Sequence, residues 1–494
     1  MAAAKERGRD IFDTEISEIA YDSRKATKNT LFVAIKGESL DGHDFIRDAV
    51  KRGAIAVVTE YGHREGESAP VSIRVQDSRD ALACLSRNFY QRPSESIPVI
   101  GVTGTNGKTT TTYLIKSILE AWGKNVGLIG TIRYLINDAE YPALHTTPES
   151  LEFQGLLRNM VESGCTYVVT EVSSHALSQK RVDYTRFKSA VFTNLTRDHL
   201  DFHGTMQRYY DAKKRLFTEL LSGTAVINAD DAWGRKLMRE MKSDVFTYGV
   251  FSEADIVAQD IELTFSGVSF LLLQRAGQVT KIASPLIGMA NVYNILAATA
   301  AALVLGVPTD VIQEGMRKIS PIEGRLEKID EGQGFTCIVD YAHTPDALER
   351  LISAVREITN KERHARIITV FGCGGNRDRG KRPVMGEIAT RLSDSVYITS
   401  DNPRKEDPLE IIREIESGII KDNYLIVPDR KDAINMAVDK ARHGDVVIIA
   451  GKGHEDYQEI RERRYPFNDR EVAGGAIRKR LLKEGTLDRS VRHT

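Results

Sequence analysis

Cysteine is scarce in this chain of 494 residues, and the four present, Cys84, Cys165, Cys337 and Cys373, lie far apart. They form no CxxC pair and no disulfide framework, which suits a reducing compartment and argues against a structural zinc site. Excess charge is also lacking. The formal net charge is −1, so no global basic field draws the chain to nucleic acid. No uninterrupted apolar run reaches membrane-spanning length. The N-terminal stretch MAAAKERGRDIFDTE is charged and has no apolar core of signal-peptide length. Internal repeats and low-complexity segments are absent, and the tail after Gly485 is polar and expected to fray. The expectation is a soluble cytoplasmic protein with neither nucleic-acid nor membrane partners.

The chain is 41% hydrophobic and 28% charged, enough for ordinary cores, and its length favours about three domains. Residues up to about 95 hold strand-like runs, Thr30–Ile35 and Ala54–Thr59, between helical segments. Gln91–Pro98, polar with two prolines, reads as a linker. From Val99 the pattern becomes strand, glycine loop, helix, with buried strands at Val168–Thr170, Ala190–Thr193 and Ala225–Ile227. A second β/α series begins near Thr336. Its strands are Thr336–Val339, Arg366–Phe371, Ser395–Thr399, Tyr424–Val427 and Asp445–Ala450, with helices such as Pro345–Ile358 and Asp407–Ser417 between them. Such alternation predicts an α/β fold of parallel sheets covered by helices on both faces. Ligands of such sheets sit beyond the carboxyl ends of the strands, where most of the unusual residues of this chain fall.

Ile100–Thr110 reads IGVTGTNGKTT at a strand-to-helix junction. Backbone N–H groups of such a turn can close around phosphate oxygens. Lys108 can reach the β- and γ-phosphates, and the Thr109 hydroxyl can ligate Mg²⁺. Val102 stands where the strict phosphate-loop pattern has glycine, while Gly104 and Gly107 remain. Glu171, in TEVSSHALSQ, follows a buried strand and could ligate Mg²⁺ or serve as an acid at a helix N-terminus. NLTRDHLDFHG, residues 194–204, could be read as a zinc site, but without cysteine and beside a nucleotide loop Mg²⁺ suits it better. YYDAKKRLF, residues 209–217, reads by itself as the solvated basic face of a helix.

The variant loop TGTNGKTT resembles that of the Mur ligases and of their relative folylpolyglutamate synthase. The likeness extends in the family's order from about Ser23 to Glu455. It implies three α/β domains: a UDP-sugar-binding domain over residues 1–95, a central P-loop ATPase-like parallel-sheet domain over 96–327, and a Rossmann-like amino-acid-binding domain over 328–494. It implies ATP held by Gly104, Thr105, Asn106, Gly107, Lys108, Thr109 and Thr110, with Asn291, Arg325, Asp340 and His343 beside it. Asn294 matches a further position at the same helix start, where its role could be purely structural. The implied Mg²⁺ ligands are Thr109, Glu171, His199 and Lys213, the last matching a lysine that the family carbamylates, whereas Lys214 does not. A cationic lysine near Mg²⁺ would be repelled, and a carbamate is an anionic oxygen ligand. Asp198, Asp201 and His203 are left to shape their loop. Lys108, Glu171, His199 and Lys213 form the implied catalytic set.

On the substrate side, YDSRKATKNTLFVAIKG and DGHDF resemble the nucleotide-sugar domain of the family, with Ser23 on the UDP part. Ser23 is equally a residue that stabilises tight turns. Thr146, Thr147, Ser173, Gln179 and Arg181 match contacts to the muramoyl peptide, and Arg181 can fork onto a carboxylate or phosphate. FGCGGNRDRGKRP supplies Arg377 for the acceptor's carboxylate; it lacks GxGxxG, which sets dinucleotide binding aside. SDNPRKEDP supplies Asp401, Asn402, Pro403 and Arg404, and GKGHEDYQ supplies Gly451 and Glu455. The DNPR form resembles family members that use meso-2,6-diaminopimelate. That diamino acid has a distal carboxylate for Arg404, where L-lysine would bring only an ammonium. A salt bridge of Arg404 with Glu406 or Asp407 is the alternative.

The implied reaction is ATP-dependent amide ligation in cell-wall peptidoglycan synthesis by a monomer. The γ-carboxylate of D-Glu in UDP-MurNAc-L-Ala-D-Glu is phosphorylated, and the acyl phosphate is attacked by the amine of meso-2,6-diaminopimelate. Rival readings are an L-lysine-adding or folylpolyglutamate synthase-like ligase, a non-ligating ATP-dependent switch or scaffold, and a small-molecule kinase.

Overall fold

A computed structural model of the chain describes residues 15–37, 40–61, 71–360 and 365–485. The charged N-terminal stretch, apart from Glu15, and the polar tail after Gly485 lie outside them. The chain divides into two compact units. The first comprises Met1–Gly101, Asn125–Ser189 and Ala212–Gly223; the second comprises Val102–Lys124, Ala190–Asp211 and Thr224–Thr494.

In the first unit the strands Glu18–Ala20, Thr30–Val33, Ala54–Thr59 and Ser72–Arg74 lie side by side, all parallel. Alternate residues face opposite ways along a strand. Phe32, Ala34 and Val57 accordingly pack with Ile46 and Ala49 on one face, while Leu31, Val33, Ala56 and Val58 pack with Leu82 on the other. Leu82 belongs to the helix Ser78–Phe89, whose start is capped by the Asp77 carboxylate accepting from the N–H groups of Arg79 and Asp80. Further along this unit, Val126–Ile129 pairs in parallel with Tyr167–Glu171 and antiparallel with Arg133–Ile136. Gln91–Pro98, expected to be a linker, is a packed turn. Pro93 and Ser94 are buried in a short 3-10 helix, and the Ser94 hydroxyl accepts the N–H of Arg186 at 3.2 Å.

In the second unit the helices Lys108–Ala121 and Met289–Val304 pack together. Leu221–Asn228, which enters this unit at Thr224, is followed by Val245–Gly249 and Ile256–Thr264 in parallel register. The purely parallel expectation fails next. Ile256–Thr264, Gly267–Gln274 and Val279–Ser284 form an antiparallel meander. The segment GVSFLLLQ buries only alternate residues, so one face meets the core and tight turns replace crossover helices.

The six-stranded sheet that follows runs Glu327–Ile329, Thr336–Asp340, Val446–Ala450, Ile367–Phe371, Ser395–Ile398 and Tyr424–Ile426 in spatial order. All neighbours are parallel except the first pair. Its central strands are buried throughout because apolar clusters cover both faces. The helices Pro345–Thr359 and Pro408–Glu416 are close to their expected spans, each with proline in the first turn and a capping Thr344 or Asp407. Among the described residues no helix is long and apolar enough to cross a membrane.

Candidate active site

The strand Val99–Thr103 ends in a turn that leads straight into the helix Lys108–Ala121. Gly104 and Gly107 have φ of +150° and +86°. A Cβ on Gly104 would stand 1.9 Å from Thr193 Oγ1, and one on Gly107 would stand 2.3 Å from Asn294 Oδ1. Only glycine meets both the conformation and the approach. Thr193 and Asn194, just beyond the strand Phe187–Phe192, hold the turn from behind. Thr193 Oγ1 and Asn194 Nδ2 donate to the Asn106 carbonyl at 2.6 and 3.1 Å, and Asn106 N–H donates to Asn194 Oδ1 at 3.0 Å. Asn294 Nδ2 donates to Asn291 Oδ1 at 2.9 Å, so Asn291 braces Asn294, whose Oδ1 backs Gly107. Lys108 Nζ folds over the turn and donates to the carbonyls of Gly104 and Thr105 at 2.9 and 2.8 Å. Thr109 and Thr110 are buried in the first helical turn. The result is a tight glycine turn at a helix N-terminus with one ammonium beside it, an arrangement of the kind that suits the phosphates of a nucleotide.

Residues from the last sheet complete this region of the second unit. Arg325 Nη2 donates to Thr109 Oγ1 at 3.3 Å, and its guanidinium lies 4.9 Å over the Tyr341 ring. Its Nε is buried and makes no hydrogen bond among the described residues. Asp340, at the carboxyl end of its strand, accepts the N–H groups of Leu326 and Ala342 at 2.7 and 2.8 Å. Burial pushes its carboxyl above the usual range, against the pull of Arg325. His343 Nδ1 donates to the Tyr341 carbonyl at 2.8 Å, which leaves Nε2 as the acceptor. Burial, with the ammonium of Lys381, lowers its pKa and keeps it neutral. Asp346 escaped the sequence reading. Its Oδ2 accepts from Asn106 Nδ2 and Thr196 Oγ1, both at 3.1 Å, and ties the phosphate loop to the helix Pro345–Thr359.

The expected metal ligands are divided between the units. Thr109 and His199 belong to the second, Glu171 and Lys213 to the first. His199 sits in the left-handed region, with φ of 52°, and its Nε2 is 3.4 Å from Asp198. Glu171 ends the strand Tyr167–Glu171 and caps no helix; its carboxylate accepts Thr131 N–H at 2.8 Å and Thr131 Oγ1 at 3.0 Å. Lys213 is 1% exposed, so the solvated-face reading of its helix fails at this position, whereas its neighbour Lys214 is only half-buried. Among the described residues no three His, Cys, Asp or Glu side chains cluster as a metal site. A carbamate oxygen on a buried lysine, with hydroxyl and carboxylate oxygens, is a donor set of the kind Mg²⁺ takes.

Also in the first unit, five expected substrate residues share one network. Arg181 Nη1 donates to the Thr147 carbonyl at 2.9 Å, and its Nη2 to Gln179 Oε1 at 2.7 Å. Thr147 Oγ1 donates to the Glu171 carbonyl at 2.8 Å and accepts Ser173 N–H at 3.1 Å. Thr146 Oγ1 lies 3.0 Å from Thr131 Oγ1. Glu149, overlooked although quoted within HTTPE, lies 2.8 Å from Arg181 Nε and 3.3 Å from Arg79. Ser23 stands apart, buried at the head of the turn Ser23–Lys25, and no hydrogen bond joins it to this network among the described residues.

The expected acceptor residues gather beyond three strands of the last sheet, in the second unit. Arg404 has φ of 52°, held by backbone bonds from Arg404 N–H to Glu459 O at 3.0 Å and from Arg461 N–H to Arg404 O at 2.7 Å. Such strain in a non-glycine residue persists where the surroundings impose it. Its Nη1 donates to the Gly375 carbonyl at 2.9 Å, and its Nε is 3.4 Å from Glu459. The alternative salt bridge is therefore placed differently from expectation. Glu406 is taken by Arg382 at 2.9 Å, and Asp407 caps Leu409 N–H at 2.8 Å. Arg377 is exposed on the same loop; a Cβ at Gly374 would meet Arg404 Nη1 at 2.9 Å and Arg377 Cγ at 3.9 Å. Asp401 and Asn402 are buried with Pro403 beside them, and Asn402 Nδ2 donates to Glu455 Oε2 at 2.7 Å. Gly451 follows its strand directly, where a Cβ would crowd Asp401 Oδ2 at 2.8 Å.

Fold and site together define a class, the α/β proteins in which a glycine-rich loop between strand and helix receives phosphate. Three family models match the chain: the Mur ligase family catalytic domain over residues 15–90, the Mur ligase middle domain over 102–302, and the Mur ligase glutamate ligase domain over 324–453. The chain belongs to the Mur ligase family. It is 46% identical over 475 residues to the UDP-N-acetylmuramoyl-L-alanyl-D-glutamate–2,6-diaminopimelate ligase of Geobacillus thermodenitrificans, covering 94% of this chain and 96% of that one. The enzyme of the same name from Solibacter usitatus is 46% identical over 470 residues, covering 94% of each. A solved structure of a ligase of that name is 33% identical, with a TM-score of 0.67 over 94% of this chain and 95% of the other.

Proposed function

We propose that this chain is an ATP-dependent amide ligase that adds meso-2,6-diaminopimelate to the D-Glu γ-carboxylate of UDP-MurNAc-L-Ala-D-Glu, releasing ADP and phosphate. One observation carries the reading. The unit that holds the phosphate loop also holds a side-chain cluster in which Arg404 is fixed through Nη1 and Nε, while its Nη2 makes no hydrogen bond among the described residues. A guanidinium fixed on one side and open on the other suits a carboxylate at the far end of an amino acid.

In this reading the γ-carboxylate attacks the γ-phosphate of ATP at the loop of Gly104–Thr110. Lys108 neutralises charge on the transferring phosphoryl group, and Asn291, Arg325, Asp340 and His343 orient the nucleotide. Bound Mg²⁺ supplies further charge neutralisation, with Thr109, Glu171, His199 and a carbamylated Lys213 as its proposed holders. Ser23 is assigned to the UDP part, and Thr146, Thr147, Ser173, Gln179 and Arg181 to the muramoyl peptide. Arg377, Asp401, Asn402, Pro403, Arg404, Gly451 and Glu455 hold the diamino acid so that its amine meets the acyl phosphate; positioning supplies most of the catalysis. Domains over 1–95, 96–327 and 328–494, a monomer and a cytoplasmic location belong to the same proposal.

The test is an acceptor screen. Phosphate release is followed with UDP-MurNAc-L-Ala-D-Glu and ATP while meso-2,6-diaminopimelate or L-lysine is supplied. Turnover is expected with the first and not with the second. Equal turnover with L-lysine sinks the role of Arg404, and release without any acceptor sinks ligation altogether.

A further inference from the structure

Lys452 had no role in the sequence reading, and its surroundings assign it one. Its side chain is 0% exposed and follows the strand Val446–Ala450 by two residues. Nζ donates to Asn402 Oδ1 at 3.1 Å and to Glu455 Oε2 at 3.0 Å, and lies 5.5 Å from the centre of the Tyr457 ring. Asn402 closes the arrangement. Its Oδ1 also accepts Glu459 N–H at 2.9 Å, and its Nδ2 donates to Glu455 Oε2 at 2.7 Å. One oxygen of Glu455 thus holds two donors. The other, Oε1, makes no hydrogen bond among the described residues. A buried ammonium must be matched by an anion, so the pair stands or falls together.

Glu455 is therefore not a bare carboxylate waiting for a cation. Its charge is balanced from beneath, and one oxygen is left for a ligand. Arg404 is balanced in the same way by Glu459. We infer that Lys452 is a positioning and specificity-determining residue, which neutralises Glu455 and selects the oxygen offered to the acceptor's ammonium. This cluster then favours a diamino acid of no net charge, bearing two carboxylates, over a cationic one. The inference rests on the function proposed above. Without Lys452 the unbalanced Glu455 would attract a cationic amino acid such as L-lysine, and Oε2 would lose its anchor.

The experiment uses the full chain with UDP-MurNAc-L-Ala-D-Glu and ATP. Phosphate release is measured against varied meso-2,6-diaminopimelate and varied L-lysine for wild type, K452M, K452R and K452M/E455Q. K452M should raise KM for meso-2,6-diaminopimelate about tenfold and shift the ratio of the two kcat/KM values about tenfold toward L-lysine, as expected for an unpaired charge in a cleft. KM for ATP should hold. K452R should keep the wild-type ratio, and E455Q added to K452M should move the ratio back, because the surplus charge is gone. K452Q gives the same reading should K452M not accumulate as folded protein. An unchanged ratio in K452M or K452Q, in an enzyme whose wild type prefers meso-2,6-diaminopimelate, overturns the inference alone. A wild type without that preference overturns the proposed function, and this inference with it.

Discussion

The glycine loop and the proposed acceptor site are built on opposite plans. The loop is one continuous run, Gly104–Thr110, held largely through its backbone atoms. Thr193, Asn194 and Asn294 press on it so closely that shape decides what can stand there. The proposed acceptor site is assembled from side chains of separate segments around Gly374, Asp401–Arg404, Gly451–Glu455 and Glu459. There charge is the constraint: Arg404 faces Glu459, Lys452 faces Glu455, and Arg382 faces Glu406 and Glu414. A backbone site fails when a methyl group is added, and a side-chain site fails when one partner of a pair is removed.

The largest expected effect tests the first plan. K108M should lower the rate of phosphate release about 10³-fold with the fold intact, because a preorganised charge at the phosphoryl group is lost. G107A should match that loss, since its methyl group would collide with Asn294; a mild effect would break the claim that shape governs the loop. The next effect tests the second plan. R404A should cut kcat/KM for meso-2,6-diaminopimelate about 10²-fold and alter that for L-lysine far less, the cost of leaving one carboxylate unpaired. Equal losses for both would make Arg404 a scaffold.

The smallest effect lies at Arg382. Arg382 is 0% exposed and binds Glu406 at 2.9 and 3.0 Å and Glu414 at 2.7 Å. That guanidinium holds Glu406 down to about 2. A carboxyl whose folded pKa is lowered stabilises above its unfolded pKa, and the contribution is lost as pH falls through the folded value. The stabilisation by Glu406 should be complete above about pH 4.5 and disappear by about pH 2. E406Q should cost about 2 kcal/mol in chemical denaturation at pH 7, and much less at pH 2. A penalty independent of pH would mean that packing, not charge, holds this corner.

Much of the frame was legible. Ala54–Thr59 was read to the residue, and five of the six strands of the last sheet to within a residue at each end, because buried parallel strands are short apolar runs closed by glycine or polar turns; the antiparallel edge strand Glu327–Ile329 was not read. The meander Ile256–Ser284 was not read, since its alternation buries one face only and its turns lie inside an apolar-rich stretch. The glycine turn between strand and helix was legible because its glycines and Lys108 are contiguous. Glu149, Asp346, Arg382 and Lys452 were not, because each is an ordinary charged residue until a distant partner is placed beside it. Lys213 shows the same limit from the other side. Its local pattern is that of a solvated face, and burial alone separates it from Lys214.

Two kinds of information are thus separated in this protein. The sequence by itself determined the α/β alternation, the strand-end positions of the chemical residues and the phosphate loop, because these depend on periodicity and on backbone freedom encoded within a few residues. Only the tertiary structure decided which charges are balanced, which oxygen of Glu455 and which nitrogen of Arg404 remain open, and that Lys452 lies beneath them. Charge compensation acts through space at about 3 Å, and no spacing along the chain encodes a pair such as Asn402 and Lys452.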